Sequence, residues 1–205
     1  GRSGSTVLDR CIGTVEGAAS FNEMHEIVHQ YQRNKKRCSC GVYPQDCAFW
    51  REVLADPELA AALPELVDGF ERYDGSRHTV KLLLGAYGKA DRERLTRYGA
   101  LTARLYRRGA EGAGVSGIVD SSKNPSRALI LKRYAGLDVW CLHLVRNPVS
   151  VAESWRNGKG AMDDNLPTYT QGQTYKRWML NNLACESLRL TMPYKCVRFE
   201  QFTAA

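Results

Sequence analysis

The chain has 205 residues, 43% of them hydrophobic, and 29 basic against 22 acidic side chains give it a net charge of +7. That is enough to bury a core, and the length favours one domain. The charge suits an anionic ligand or partner without choosing between nucleotide, nucleic acid and acidic polysaccharide. No stretch approaches the roughly 20 apolar residues of a membrane span and no charged-then-apolar leader opens the sequence, so a soluble protein is expected. The seven cysteines, at 11, 38, 40, 47, 141, 185 and 196, are odd in number and too sparse for a disulfide framework. They point to a reducing compartment, the cytoplasm.

In chain order, a Gly-Ser-rich turn runs into a helix beginning near Ser5, where Val7, Leu8, Cys11 and Ile12 recur at helical spacing. Ser20 to Glu23 reads as a strand end and Met24 to Tyr31 as a second helix. A basic knot of Arg33, Lys35, Lys36 and Arg37 leads into a loop containing Cys38-Ser39-Cys40-Gly41, and Phe49, Trp50, Val53 and Leu54 start a new helix. Positions 95, 98, 101, 102 and 105 form one buried stripe on a helix whose arginines face water. Val115 to Val119 is a short apolar strand ending at Asp120-Ser121-Ser122-Lys123, and Pro125 is placed to open the next helix. The pattern repeats: Leu137 to Val145 ends at Arg146-Asn147, and Pro148 opens a helix. A long helix around Trp178 to Leu188 follows, then a strand-like alternation from Tyr194 to Phe199. Strands alternating with helices predict an α/β fold, a mainly parallel sheet flanked by helices in three layers, with ligands at the strand ends.

Two anion sites follow from physical chemistry. Gly1 and Gly4 let backbone approach a ligand closely, Ser3, Ser5 and Thr6 add hydroxyls, and Arg2 adds a fixed charge beside a helix N-terminus. The competing reading of this loop is an ordinary Gly-Ser turn capped by Ser5. Arg146 at a strand end, with Ser150 and Ser154 one helical turn apart on the next helix, would hold a second phosphate. The competing reading there is an exposed arginine and an unremarkable serine. Two separated sites imply a ligand with anionic groups at both ends.

Gly1-Arg2-Ser3-Gly4-Ser5-Thr6, then Asp120-Ser121-Ser122-Lys123, then Val145-Arg146-Asn147-Pro148 through Ser154-Trp155 together resemble the sulfotransferase superfamily, in the style of its bacterial and Golgi-type members. The order and spacing match from residue 1 to Val197-Arg198-Phe199-Glu200. The resemblance implies a P-loop-like nucleotide-binding fold, with residues 1-205 a single domain carrying an acceptor-side loop and helical excursion at 32-110. It also implies that the first strand and a C-terminal part, including the glycine-rich basic loop over the 3′-phosphate, are missing from this sequence. The donor would be 3′-phosphoadenosine 5′-phosphosulfate and the product adenosine 3′,5′-bisphosphate, with no metal required. Arg2, Ser3, Gly4, Ser5 and Thr6 would hold the phosphosulfate, Arg146 and Ser154 the 3′-phosphate, and Ser122 and Phe199 would join the donor site. Arg2 and Lys123 would stabilise the transferring group, and Glu23 would act as general base, with Glu26 nearby as a rival. Where relatives carry tyrosine before the late Glu-Asp or Glu-Gln, this chain has Phe199, so a hydroxyl contact there is not expected.

A Walker-type kinase would need lysine after the second glycine of the loop, where Ser5 stands. A catalytically inactive relative that binds nucleotide or nucleic acid is the alternative, although basic and aromatic residues are not interleaved as nucleic-acid binding would require. Cys38, Cys40 and Cys47 resemble a cysteine-bearing segment of some bacterial sulfotransferases and fall in an acceptor-side loop. Zinc bound by His25, His29, Cys38 and Cys40 competes with buried thiols or a local disulfide, which the C-x-C spacing favours. His78 and His143 have no partner evident in the sequence. The acceptor, whether small molecule, carbohydrate or peptide, depends on loops at 32 to 50 and 158 to 175 whose sequence names no substrate.

Overall fold

The computed structural model describes residues 4–33, 37–157 and 169–204. Gly1, Arg2, Ser3, Lys35 and Lys36, with 158–168, therefore lie outside the described residues. The chain divides into two compact units, Thr6–Val139 and a second made of Gly1–Ser5 with Trp140–Ala205. Among the described residues no helix is long and apolar enough to cross a membrane, and all seven cysteines are free thiols.

The larger unit is mostly helical. Its elements are α1 (Ser5–Ile12, whose first residue groups with the other unit), β1 (Ala18–Ser20), α2 (Met24–Arg33), α3 (Ala48–Leu54), α4 (Pro57–Ala61), α5 (Leu63–Tyr73), α6 (Thr79–Leu83), α7 (Lys89–Ala113), β2 (Gly117–Val119) and α8 (Pro125–Arg133). The stripe on α7 is buried as its spacing predicts: Leu95, Tyr98, Leu101, Thr102 and Leu105 are all shielded from solvent. Each fully buried leucine contributes about 1.5–3 kcal/mol, which outweighs the roughly 1 kcal/mol that a mid-helix glycine costs. Gly99 has its own reason, since a Cβ there would stand 2.4 Å from the Tyr134 carbonyl that follows α8. The wet face of α7 is spent on ion pairs: Arg97 reaches Glu58 at 2.8 Å, and Arg104 holds Asp56 through two contacts of 2.7 Å. Asp56 also caps α4, accepting from the amides of Glu58 and Leu59. Gly114 in the left-handed region (φ 64°) ends α7 and turns the chain into β2.

The smaller unit holds β3 (Cys141–Val145), α9 (Pro148–Asn157), α10 (Gln171–Glu186), β4 (Tyr194–Arg198) and α11 (Phe199–Phe202). Pro148 opens α9, as Pro125 opens α8. Thr170 and Gln173 form a capping box at the start of α10.

Each strand pairing is parallel. β1 runs beside β2 with Ala18 opposite Gly117 and Ser20 opposite Val119; β3 runs beside β4 with Cys141 opposite Tyr194 and Val145 opposite Arg198. Among the described residues these remain two two-stranded sheets within a largely helical protein. The mixed α/β character and parallel pairing agree with the sequence reading. An extended three-layer sheet is not present in them. Part of the difference is strand length: the apolar run from Leu137 yields a strand only from Cys141, and Trp140 beside it is 75% exposed. The segment at 32-110 is chiefly helices α3 to α7.

Candidate active site

In the larger unit, the polar segments after β1 and β2 are joined to one another. The ladder continues past the strands, with the Phe21 amide donating to Val119 at 3.0 Å and the Ser121 amide to Asn22 at 2.7 Å. Asn22 (φ 53°) and Lys123 (φ 57°) are the two non-glycine residues with positive φ among the described residues. Asparagine tolerates that region; lysine pays roughly 1–2 kcal/mol for it. The two lie at the carboxyl ends of neighbouring parallel strands, where α/β proteins place ligands.

Asp120 fixes this junction. Its Oδ1 accepts from the Ser122 amide at 2.9 Å, from the Met24 amide at 3.2 Å at the start of α2, and from the Ser122 hydroxyl. Its Oδ2 accepts from the Tyr106 hydroxyl. Ser122, read from sequence as a donor to the transferring group, is buried with its hydroxyl turned to Asp120, so here it shapes the loop. Asp9 on α1 is buried as well and accepts from the Ser20 hydroxyl. Burial pushes its carboxyl above the ordinary carboxylate range, which the Ser20 hydrogen bond partly opposes.

The junction brings Lys123 and Glu23 together. Their side chains, 100 positions apart in sequence, form an ion pair, each about one-third exposed. A pair that exposed is worth about 0–1 kcal/mol. Lys123 can therefore exchange Glu23 for another anion at little cost.

Behind Tyr106 lies a buried polar chain that the sequence reading missed. Arg127 on α8 donates to the Tyr98 hydroxyl at 2.7 Å and through Nε to the Tyr106 hydroxyl at 3.4 Å, and it pairs with Asp74 at 3.2 Å. Tyr98 donates to Asp74 at 2.6 Å. Burial lifts the phenols of Tyr98 and Tyr106 well above their ordinary range, keeping both as hydrogen-bond donors. A buried ion pair recovers its desolvation cost only when such extra bonds satisfy it. The available signal was Tyr98, Thr102 and Tyr106, one turn apart on α7: a polar seam inside an apolar stripe.

In the smaller unit the structure gathers three other predicted site residues. Gly4 (φ 83°) lies against Phe199, whose ring carbon would be 2.1 Å from any Cβ at that position. The Arg146 guanidinium lies over the same ring, 4.7 Å from its centroid. The Arg146 carbonyl accepts from the Trp178 indole at 2.9 Å. Asn147 caps α9, its side chain accepting from the Val149 amide, while its own amide donates to Glu200 at 2.8 Å. That bond, with Arg146 and Arg198 nearby, lowers the Glu200 pKa. Ser150 and Ser154 are half-buried on α9; Ser5 is half-buried and Thr6 exposed on α1.

The cysteine loop opens on the same cleft as Glu23. This cleft, of about 660 Å³, is lined by Glu23, Gln30, Cys38, Cys40, Cys47 and Trp50, among others. Cys47 is buried by the packing of α3, whereas Cys40 is exposed. The Val42 amide, then Cys38 and Cys47, lower the Cys40 pKa; burial raises that of Cys47. The less favoured alternative, His25 and His29 joining these thiols at a zinc ion, does not match the arrangement found. Both rings pack on Phe70 of α5, centroids 4.8 and 4.7 Å away, because α2 lays that face on the helical core. Cys47 joins Cys38 and Cys40 instead. His143 has clear structural partners, with Asn182 at 2.8 Å from Nε2 and the Tyr194 hydroxyl at Nδ1. His78 lies beside Arg77, and its pKa is lowered by burial first and by that cation second.

Comparison of the chain with protein-family models, with curated proteins and with solved structures finds no match.

Proposed function

We propose that the chain is a nucleotide-dependent transferase, its class set by cations and backbone turns at parallel strand ends. More particularly, the reading is a sulfotransferase that moves a sulfuryl group from 3′-phosphoadenosine 5′-phosphosulfate to an acceptor hydroxyl or amine. The proposed fold is the three-layer, P-loop-like arrangement to which parallel strand, polar loop and Pro-led helix would contribute. The observation that carries the reading is the Glu23–Lys123 pair at the ends of β1 and β2, because the proposed base and the proposed cation come from segments read independently in the sequence.

In this mechanism Glu23 takes the acceptor proton as the new S–O bond forms, and the bond from sulfur to the phosphate oxygen breaks. Lys123 leaves Glu23 for the negative charge that grows on the departing phosphate, and Arg2 adds a second cation. Charge spreads over a loose transition state, so positioning and cationic stabilisation dominate, as in phosphoryl transfer. Asp120 takes no part in the transfer but holds both loops. Arg146 and Ser154 would grip the 3′-phosphate. Gly4 carries no Cβ because the Phe199 ring occupies that space, so its part in the donor loop would rest on its backbone amide.

Calorimetry tests the reading directly. Adenosine 3′,5′-bisphosphate should bind at least tenfold more tightly than ADP, since a charge-assisted phosphate contact is worth about 1.5–3 kcal/mol; equal affinities refute the donor assignment. Glu23→Gln should abolish sulfuryl transfer while leaving that affinity within about twofold, a loss below 0.5 kcal/mol. Normal turnover would remove Glu23 as the base.

A further inference from the structure

The loop between α2 and α3 brings three thiols to one point. Sγ atoms of Cys38, Cys40 and Cys47 all lie within 4.8 Å of one another, and the Cys40 thiol donates to the Cys47 sulfur at 3.6 Å. A disulfide needs about 2.05 Å. Two sulfurs on a tetrahedral ion at ~2.3 Å each are about 3.8 Å apart, close to the separation between Cys40 and Cys47.

The backbone is shaped to make this cluster. The Cys38 amide donates to Val42 at 2.7 Å and the Gly41 amide returns to Cys38 at 2.9 Å. Gly41 supplies the left-handed turn, at φ 92°. The resulting knuckle folds Cys38 and Cys40 back on Cys47, which is anchored at the start of α3. Arg37 clamps the turn from outside, donating to the Gly41 carbonyl at 2.8 Å.

We propose that Cys38, Cys40 and Cys47 form a three-thiolate site for a thiophilic divalent cation, Zn²⁺, whose fourth position is filled by water or another ligand from the cleft they line. Binding exchanges protons for metal: three S–H bonds give three Zn–S bonds and release three protons, with no change of oxidation state. The resulting centre carries one net negative charge. Three protein ligands and one exchangeable position is the composition of a zinc site open to chemistry. The three cysteines line the same cleft as Glu23. The site stands on the cysteine geometry alone and does not depend on the donor assignment.

Cobalt(II) is the probe, added to the full chain kept reduced and free of oxygen. The expected result is one equivalent bound, with intense tetrahedral absorption in the visible and a thiolate-to-cobalt charge-transfer band, both erased when Zn²⁺ displaces the cobalt. Cys38→Ser and Cys40→Ser, at positions that are not buried, should each lose the bands and at least tenfold in affinity, since even the outer supports of a metal ligand are worth 10- to 100-fold. Cys11→Ser and Cys196→Ser, both at exposed cysteines, should change neither. Absence of the bands in reduced wild-type protein, their survival in both ligand variants, or a Cys40–Cys47 disulfide in protein that takes up no cobalt once reduced would each overturn the proposal.

Discussion

Replacing Asp120 by alanine removes the joint between the two loops that carry Glu23 and Lys123. Four donors lose their acceptor: the Ser122 and Met24 amides, the Ser122 hydroxyl and the Tyr106 hydroxyl. Hydrogen bonds to a carboxylate are worth about 1.5–3 kcal/mol each, but exposed amides recover most of that from water. Tyr106 is buried, so its hydroxyl bears the desolvation cost of about 1–3 kcal/mol, and the partly shielded Ser122 adds to it. A total of about 3–4 kcal/mol is expected, a large part of the roughly 5–15 kcal/mol that holds a protein folded. Asp120→Asn keeps an oxygen for the three Oδ1 donors but turns an amide that cannot accept towards the Tyr106 hydroxyl, so it should cost about 1–2 kcal/mol, less than alanine. Urea unfolding followed by tryptophan fluorescence separates the two, read as midpoint shifts at constant slope. An alanine variant within 1 kcal/mol of wild type, or an asparagine variant as damaged as the alanine one, would refute this account of the junction.

Two further perturbations test other parts of the structure. Gly4→Ala places a Cβ against the Phe199 ring in a left-handed backbone; it should lower the melting temperature, and a double-mutant cycle with Phe199→Ala should give a coupling of about 1 kcal/mol or more, additivity excluding the contact. Asp56 has its pKa depressed from 3.8 to about 2, chiefly by its bonds to Arg104. The stabilisation is present above the unfolded value and is lost as pH falls from 3.8 towards about 2. Urea midpoints measured across that window should fall less steeply for Asp56→Asn, and an identical slope would count against the assignment.

Much of the scaffold was legible because it rests on local rules. Pro125 and Pro148 mark helix starts, the spacing from Leu95 to Leu105 marks the buried side of α7, and the apolar runs before Asp120 and Arg146 mark strands. Glu23 and Lys123 were each visible as polar residues at strand ends; their contact was not, because it depends on the register of β1 against β2. The inward turn of Ser122 escaped notice for the same kind of reason: a hydroxyl's direction is set by the nearest acceptor, Asp120, and by no pattern in the chain. His25 and His29 have the i, i+4 spacing of metal ligands, yet that spacing equally suits one face of a helix packed on Phe70. Arg127 carries no local sign of burial in the sequence, and only tertiary packing encloses it.

The polar chain from Asp74 through Arg127 and Tyr106 to Asp120 has a consequence for how the loop at 120–123 moves. Its anchoring bonds are shared with the interior of α7 and α8, so releasing the loop leaves the buried Tyr106 hydroxyl without its carboxylate acceptor. Loop and helices are thus expected to open together, which slow amide exchange at 120–123 would register. The protein thereby keeps a non-glycine residue, Lys123, in a costly backbone conformation using rigidity drawn from its own core.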